Sequence, residues 1–183
     1  MKAQPIRHLT EAEYLEGEKR SEIRHEYLDG VVYAMTGASK RHNALVGSVY
    51  RALYEDARKK RCQVFFEAVK LRIESSRSYY YPDVILSCRD EPDEYFVSQP
   101  CAVFEVESRE TALVDRREKR QAYMTLDSLR EYVILAQDEI AATVYRRSAS
   151  GEGWIEEQLG PGDALHVGCL ALDVPLDSLY RDL

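Results

Sequence analysis

The sequence predicts an α/β fold in which a mixed β-sheet is flanked by helices and preceded by an N-terminal helix and hairpin. Three observations support this fold class. A capping motif and an Asp-Gly turn lie near the N-terminus, a long amphipathic helix follows them, and short apolar runs alternate with a second helix afterwards. Because 183 residues suffice for one substantial core, we expect a single domain over residues 1–183.

The first elements are predicted from local signals. Thr10-Glu11-Ala12-Glu13 has the spacing of a capping box, which indicates the start of a short helix. Asp29-Gly30 lies between two apolar runs, and this dipeptide favours the type I′ turn of a β-hairpin. From Ser39 to Arg61, apolar residues recur at intervals of three and four, which predicts an amphipathic helix capped by Ser39.

The middle of the chain changes to an alternating pattern. Residues 64–73 alternate with a period of two and predict a strand, in which Glu67 is an unusual acid on the apolar face. A second strand is predicted over residues 79–87. Further strands are predicted over 101–107, 131–135, 142–145, 154–155 and 165–167.

A polar helix is predicted over residues 111–126. Asp115, Lys119 and Tyr123 are spaced four residues apart, so they share one face of this helix. Three arginines lie close to Lys119 in the sequence, and a charge run of this kind also fits a solvated helix face.

The net charge of −7 is unevenly distributed. The last 36 residues carry seven acids and one base, whereas residues 39–61 carry seven basic residues and two acids. Lys59, Lys60 and Arg61 therefore predict a local basic face for nucleic acid on an otherwise acidic protein. The alternative is that these cations only complement the negative end of the helix dipole.

The sequence has no segment that indicates a membrane or an export signal. No apolar run approaches the roughly 18 residues of a membrane span, and residues 1–5 lack the apolar core of a signal peptide. We therefore expect a cytoplasmic protein with no membrane partner, in which cysteines stay reduced. The four scattered cysteines also lack the spacing of a zinc site: Cys62, Cys88, Cys101 and Cys169.

Two acids lie within predicted apolar strands, Asp83 after Pro82 and Glu105 in the middle of its run. Burying a carboxylate costs several kcal/mol unless a cation or donors compensate it. Asp83 and Glu105 in neighbouring strands therefore predict a binding site for a hard divalent metal, and Lys119 supplies an ammonium nearby. A simple turn before an edge strand is the alternative for Pro82-Asp83.

Six short motifs follow one another in an order shared with a known family. They are Tyr27-Leu28-Asp29-Gly30; Ser39 with His42-Asn43; Tyr81-Pro82-Asp83-Val84; Phe104-Glu105-Val106 with Ser108; Asp115 with Lys119 and Tyr123; and Leu129-Arg130-Glu131-Tyr132. Together they resemble the Uma family of the PD-(D/E)XK restriction-endonuclease-like superfamily. The resemblance extends over most of the chain.

This resemblance implies a metal-dependent endonuclease that hydrolyses DNA phosphodiester bonds with Mg²⁺ or Mn²⁺. The catalytic residues it implies are Asp83, Glu105 and Lys119, the last of which would position water. The metal ligands it implies are Asp83, Glu105, the backbone carbonyl of Val106 and, as an extra acid, Glu67. The accessory residues are Glu107, Asp115, Tyr123 and His42. A homodimer is also implied, since many such enzymes cut two strands.

One position departs from the superfamily pattern. The lysine usually stands two residues after the second acid, where this chain has Glu107. Lys119 is the natural replacement, because a lysine on the next helix reaches the same point on its long stem. Glu107 also favours a rival function, an inert DNA-binding or protein-interaction module on the same fold. An RNA-directed nuclease is a third candidate.

Several of these residues also have a purely structural interpretation. Glu67 could pair with Lys70 or Arg72 at a sheet edge, and Glu107 could pair with Arg109 or Lys119. His42, near the start of a helix, could be a polar residue of the cap region.

Overall fold

The structure is a computed structural model that describes residues 8–107, 115–151, 153–181 and 183. The helices are α1 (Glu11–Glu18), α2 (Lys40–Lys59), α3 (Asp115–Met124) and α4 (Leu176–Leu179). The strands of the first half are β1 (His25–Leu28), β2 (Val31–Ala34), β3 (Gln63–Phe66), β4 (Lys70–Ile73), β5 (Ser78–Tyr80) and β6 (Val84–Ser87). Those of the second half are β7 (Phe96–Val97), β8 (Ala102–Glu107), β9 (Glu131–Ala136), β10 (Ala142–Arg147), β11 (Trp154–Leu159), β12 (Ala164–Val167) and β13 (Leu172–Pro175).

These strands form three sheets. The central sheet has the strand order β11-β10-β9-β8-β6-β3, the second sheet has the order β2-β1-β5-β4-β7, and β12 pairs with β13. Pairing is mixed, because β8 runs parallel to β9 while β6 runs antiparallel to β8. The predicted mixed α/β fold is confirmed.

The central sheet lies between two apolar layers. Helix α2 covers one face, where its Leu45 and Leu53 belong to the same buried cluster as Phe104 of β8. The other face carries Val103 of β8, which belongs to the cluster that contains Tyr123 of α3 and residues of the second sheet. Because side chains alternate along a strand, Glu105 faces the α3 side, as Val103 does.

The predicted local signals at the N-terminus are confirmed. Thr10 and Glu13 form the capping box of α1, and β1 pairs with β2 in a hairpin. Both turn residues of the hairpin have positive φ, 42° at Asp29 and 102° at Gly30, as a type I′ turn requires. At α2, the Ser39 hydroxyl accepts a hydrogen bond of 3.0 Å from the His42 amide.

Two glycines give a matched test of this backbone. Gly30→Ala forces an alanine into a left-handed conformation, so the free energy of unfolding should fall by about 1 to 3 kcal/mol. Gly47 lies within α2, and nothing lies within 4 Å of the position that an added Cβ would take. Gly47→Ala should therefore raise the free energy of unfolding by about 1 kcal/mol. Urea denaturation would measure both changes, and equal signs would contradict this description.

The prediction of two long continuous strands is wrong. Residues 64–73 divide into β3 and β4, which belong to different sheets, and residues 79–87 divide into β5 and β6 in the same way. Glu67 breaks the first run because its φ of 57° turns the chain, and Pro82 lies in the second break, where it has no N–H for a ladder. The Glu67 amide donates to the Asp83 carbonyl across the breaks, at 3.0 Å. Both acids therefore lie at a corner between the two sheets.

The cysteines are paired in the structure, which contradicts the expectation that they stay reduced. The antiparallel register of β3 and β6 places Cys62 opposite Cys88, with their Cα atoms 4.1 Å apart. Cys101 pairs with Cys169, with Cα atoms 6.5 Å apart. Sequence spacing could not predict either disulfide, because the first depends on which strands are neighbours and the second on how the turn after β12 packs near the start of β8.

The later predicted elements are confirmed in part. β8, β9, β10 and β12 coincide with predicted strands, β11 extends to Leu159 beyond the predicted residues 154–155, and α3 lies within the predicted polar helix. The predicted start of that helix at Thr111, together with Ser108 and Arg109, lies outside the described residues. Within the described ranges, no helix is long and apolar enough to cross a membrane.

Candidate functional site

Asp83 lies at the corner between the sheets, just before β6. Strand register pairs Val84 with Phe104, which brings Asp83 opposite Glu105, as the sequence predicted. One carboxylate oxygen of Asp83 accepts a hydrogen bond of 2.7 Å from the Val106 amide, and the other lies 2.9 Å from His42 Nε2. Asp83 is therefore held in place by a strand and by the N-terminal turn of α2.

Glu105 is the most buried acid of this site. It is 7% exposed, and its Oε1 accepts a hydrogen bond of 2.9 Å from the hydroxyl of Tyr123. Burial is the main cause that raises the pKa of the Glu105 carboxyl, and the nearby Asp83 and Glu26 raise it further. The ammonium of Lys119 opposes this shift. Burial disfavours the ionised form of Glu105, so a bound cation would stabilise that form.

Lys119 and Tyr123 reach Glu105 from the same face of α3. Lys119 Nζ lies 3.6 Å from Glu105 Oε1 and 3.0 Å from Glu26 Oε1. The predicted alignment of Lys119 with Tyr123 is what brings both side chains to one carboxylate. Lys119 is thus an ammonium shared by two acids from different sheets.

Sequence reasoning missed Glu26. It lies in β1, and besides Lys119 it accepts a hydrogen bond of 3.4 Å from the Tyr81 amide. An acid within a predicted strand was the signal that identified Glu105, and the same signal was present at Glu26. Nothing in the sequence indicated that β1 would lie beside α3.

His42 is placed by the cap of α2. Its hydrogen bond with Asp83 is the main cause that raises the pKa of His42, and the charges of Asp83, Glu105 and Glu67 add to this effect. Burial opposes it. The imidazole therefore lies in the electrostatic field of three predicted acids, and it holds a positive charge more readily than a free histidine.

Glu67 occupies the other side of the corner. Its carboxylate accepts a hydrogen bond from the side-chain amide of Asn43, the residue that follows His42. Consecutive residues of α2 therefore hold Asp83 and Glu67. Asn43 belongs to the motif that contains Ser39 and His42, and no role was predicted for it.

Three predicted nucleic-acid residues do not join this site. Lys59, Lys60 and Arg61 lie at the far end of α2, which its length places about 27 Å from His42 along the helix axis. Lys59 forms an ion pair of 2.9 Å with Asp56. Of the accessory residues, Glu107 ends β8 and is partly exposed, and the Asp115 side chain lies outside the described part of the structure.

The donor set fits a hard divalent cation in part. Asp83 and Glu105 offer carboxylate oxygens from adjacent strands, which suits Mg²⁺ because that ion keeps several waters and needs only one or two carboxylates. Throughout the described ranges, no group of three or more His, Cys, Asp or Glu side chains is arranged to hold a metal ion. In this structure, His42 and Lys119 lie at the oxygens that a cation would share.

Comparison with known proteins supports the fold and identifies the family. A family model described as "Putative restriction endonuclease" matches residues 11–176, which includes every described residue of the site. The chain belongs to the Uma2 family. This membership confirms the resemblance that the motifs indicated.

Two relatives and one solved structure extend the comparison. The chain is 29% identical to "Uncharacterized protein slr1290" of Synechocystis sp., covering 98% of this chain and 95% of that protein. It is 28% identical to "Uncharacterized protein sll1609" of the same organism, covering 83% and 88% respectively. A crystal structure of "a putative nuclease belonging to DUF820" from Anabaena variabilis matches with a TM-score of 0.73 and 17% identity, covering 94% of this chain and 98% of that one. The structural likeness confirms the fold.

Proposed function

We propose that this Uma2 protein is a metal-dependent endonuclease that hydrolyses phosphodiester bonds of DNA. One observation carries the proposal. Lys119 Nζ lies 3.6 Å from the buried Glu105 carboxylate, whose strand neighbour is Asp83. Two carboxylates beside an ammonium are the minimal set that can hold a hard cation and offset charge on a phosphate.

Mg²⁺ or Mn²⁺ would be held by Asp83 and Glu105, with the Val106 carbonyl and Glu67 as further candidates. When bound, the ion acts as a Lewis acid toward the phosphate and lowers the pKa of a water molecule. The proposed enzyme acts on DNA as a homodimer, in which each subunit cuts one strand.

The remaining residues hold these groups and their protons in position. Tyr123 donates to Glu105, and His42 holds Asp83, so both carboxylates have fixed orientations. Lys119 places its ammonium beside Glu26 and Glu105, and this positive charge would orient water and offset the negative charge that develops on the scissile phosphate.

A second candidate is an inert binding module on the same fold. Glu107, where the superfamily usually has its lysine, supports this alternative. The ion pair between Lys119 and Glu26 supports it as well, because a lysine held by two acids can serve stability alone.

Cleavage assays separate the two candidates. Purified protein is incubated with supercoiled plasmid, single-stranded DNA and RNA, in Mg²⁺, Mn²⁺ or EDTA. We expect DNA cleavage with metal, no cleavage in EDTA, and none by Asp83→Asn. Cleavage of RNA alone would replace the DNA assignment with an RNA-directed nuclease. If wild type cuts none of these substrates, the inert module is the better description.

The basic end of α2 gives an independent prediction about DNA contact. Replacing Lys59 and Lys60 with Ala and Arg61 with Asn should weaken DNA binding. The slope of log K against log[salt] should become shallower by about 0.9 for each lost phosphate contact. Asn suits position 61 because Arg61 has a φ of 57°. Fluorescence anisotropy across a salt series measures this slope. Unchanged binding at low salt would mean that these cations serve only the helix terminus.

A further inference from the structure

A polar cleft of about 410 Å³ opens beside the candidate metal site. Its walls come from the segment after α1 and from the corner between the sheets. Ala68 and Tyr81 line the cleft, and in sequence they are separated from Glu67 and Asp83 by one residue at most. The cleft and the candidate site therefore share two segments, the one between β3 and β4 and the one between β5 and β6.

Lys70 is an unusual wall residue of this cleft. It is 7% exposed, and its ammonium lies 5.4 Å from the centre of the Tyr81 ring and 6.0 Å from that of the Tyr95 ring. Among the residues that the structure describes, no carboxylate forms an ion pair with it at 4.0 Å or less. Buried lysines are normally paired with an acid, whereas in the described part of the chain the close contacts of this cation are two aromatic faces.

The Glu18 carboxylate, which lines the cleft, is already engaged. Glu18 accepts hydrogen bonds from the His25 amide at 2.8 Å and from the Tyr81 hydroxyl at 3.0 Å, and it lies 3.1 Å from the His25 ring nitrogen. Desolvation is the main cause that lowers the pKa of Lys70, while Glu18 and Asp93 oppose this effect. An anion that enters the cleft would therefore meet a buried ammonium that makes no ion pair among the described residues, with the carboxylates of Glu18 and Glu22 also in the walls.

The rim of the cleft adds charge and an aromatic face. Lys19 lies 5.5 Å from the centre of the Tyr95 ring, Arg24 also lines the cleft, and Tyr95 is 49% exposed. An exposed ring close to two ammonium groups suits a nucleotide, because the ring can stack on the base and an ammonium can contact the phosphate. The volume is that of a small-molecule site and can hold one nucleotide.

We infer that this cleft binds one nucleotide of a single-stranded nucleic acid, with its phosphate at Lys70 and its base against Tyr95. The choice of nucleic acid rests on the proposed function. Bases of intact duplex are stacked on each other and cannot reach Tyr95, so the cleft should favour single-stranded or frayed substrate. The cleft would hold the nucleic-acid strand next to the phosphodiester bond that is cleaved at Asp83 and Glu105.

The test is binding without metal, so that cleavage plays no part. Anisotropy of a fluorescein-labelled oligothymidylate of about 12 nucleotides is measured in EDTA. Tyr95→Ala should weaken binding about 5- to 150-fold, the range expected for one stacked base. Lys70→Met should weaken it about tenfold and reduce the salt slope by about 0.7, the value for one phosphate of a single strand. Lys70→Arg should restore most of the binding.

Controls separate failure of this site from failure of the nuclease proposal. Ile155 is an exposed apolar residue of β11, at the edge of the central sheet away from the cleft and from the basic end of α2, and Ile155→Ala should bind as wild type does. If wild type binds but the Lys70 and Tyr95 variants bind equally well, the cleft assignment is wrong and the proposed function survives. Equal losses on a blunt duplex would overturn the preference for single strands. If wild type binds no oligothymidylate in EDTA, the cleft assignment is wrong, whereas the nuclease proposal is decided separately by metal-dependent cleavage.

Discussion

Lys119→Ala should lower the rate of Mn²⁺-dependent DNA cleavage by about 10²- to 10³-fold, because it removes the cation that offsets charge on the phosphate. Metal binding should persist, since Lys119 is not among the proposed ligands. Lys119→Arg should recover little activity, because a planar guanidinium does not replace a compact ammonium between Glu26 and Glu105. Single-turnover cleavage rates measure the effect, and circular dichroism checks the fold.

The matched control lies on the same helix. Arg117 is exposed and two residues from Lys119, and Arg117→Ala should keep the wild-type rate. If Lys119→Ala cuts as fast as wild type while Asp83→Asn does not, the carboxylates act without the lysine and the proposed role of Lys119 is wrong.

The second large effect concerns metal and stability. A ligand that binds only the folded state stabilises it, and with a Kd of about 1 mM and about 10 mM Mn²⁺ the gain is about 1.4 kcal/mol. For a chain of this size, Tm should rise by about 3 to 6 °C. Asp83→Asn and Glu105→Gln should lose this rise. The exposed Asp90 provides the control, since Asp90→Asn should retain it.

Without metal, Glu105→Gln should be more stable than wild type at neutral pH. The folded chain raises the pKa of the Glu105 carboxyl, so its favourable contribution is present at low pH and is lost as pH rises through the folded pKa. Glutamine stays neutral, so the difference in Tm should grow from about pH 5 to pH 8. Mn²⁺ binding should also strengthen with pH, because the ligand must be ionised. An equal Mn²⁺ shift in wild type and in both ligand variants would exclude this metal site.

Two pairs of residues in the candidate site were predicted from the sequence, each by a different pattern. Asp83 and Glu105 were predicted as a pair because each interrupts an apolar strand, and adjacent strands align them. Lys119 and Tyr123 were predicted to share a helix face, and both reach Glu105. Family membership agrees with these motifs.

The tertiary structure added partners that no local pattern indicates. Glu26 and Lys119 meet because β1 belongs to a second sheet that packs beside α3. The division of both long strands came from the left-handed Glu67 and from the break that contains Pro82, and this division created the corner beside the Lys70 cleft. The error in the strand prediction therefore lies where the candidate site lies.

The sequence by itself determined the capped helices, the hairpin, the acids within the strands and the shared face of α3. Each of these depends on residues a few positions apart, where capping, turn geometry and periodicity act directly. Only the tertiary structure decided the disulfide pairs, the second acid at Lys119 and the exposure of Tyr95 beside a buried lysine. These features depend on strand order and on the packing of two sheets, which bring together residues that are distant in the sequence.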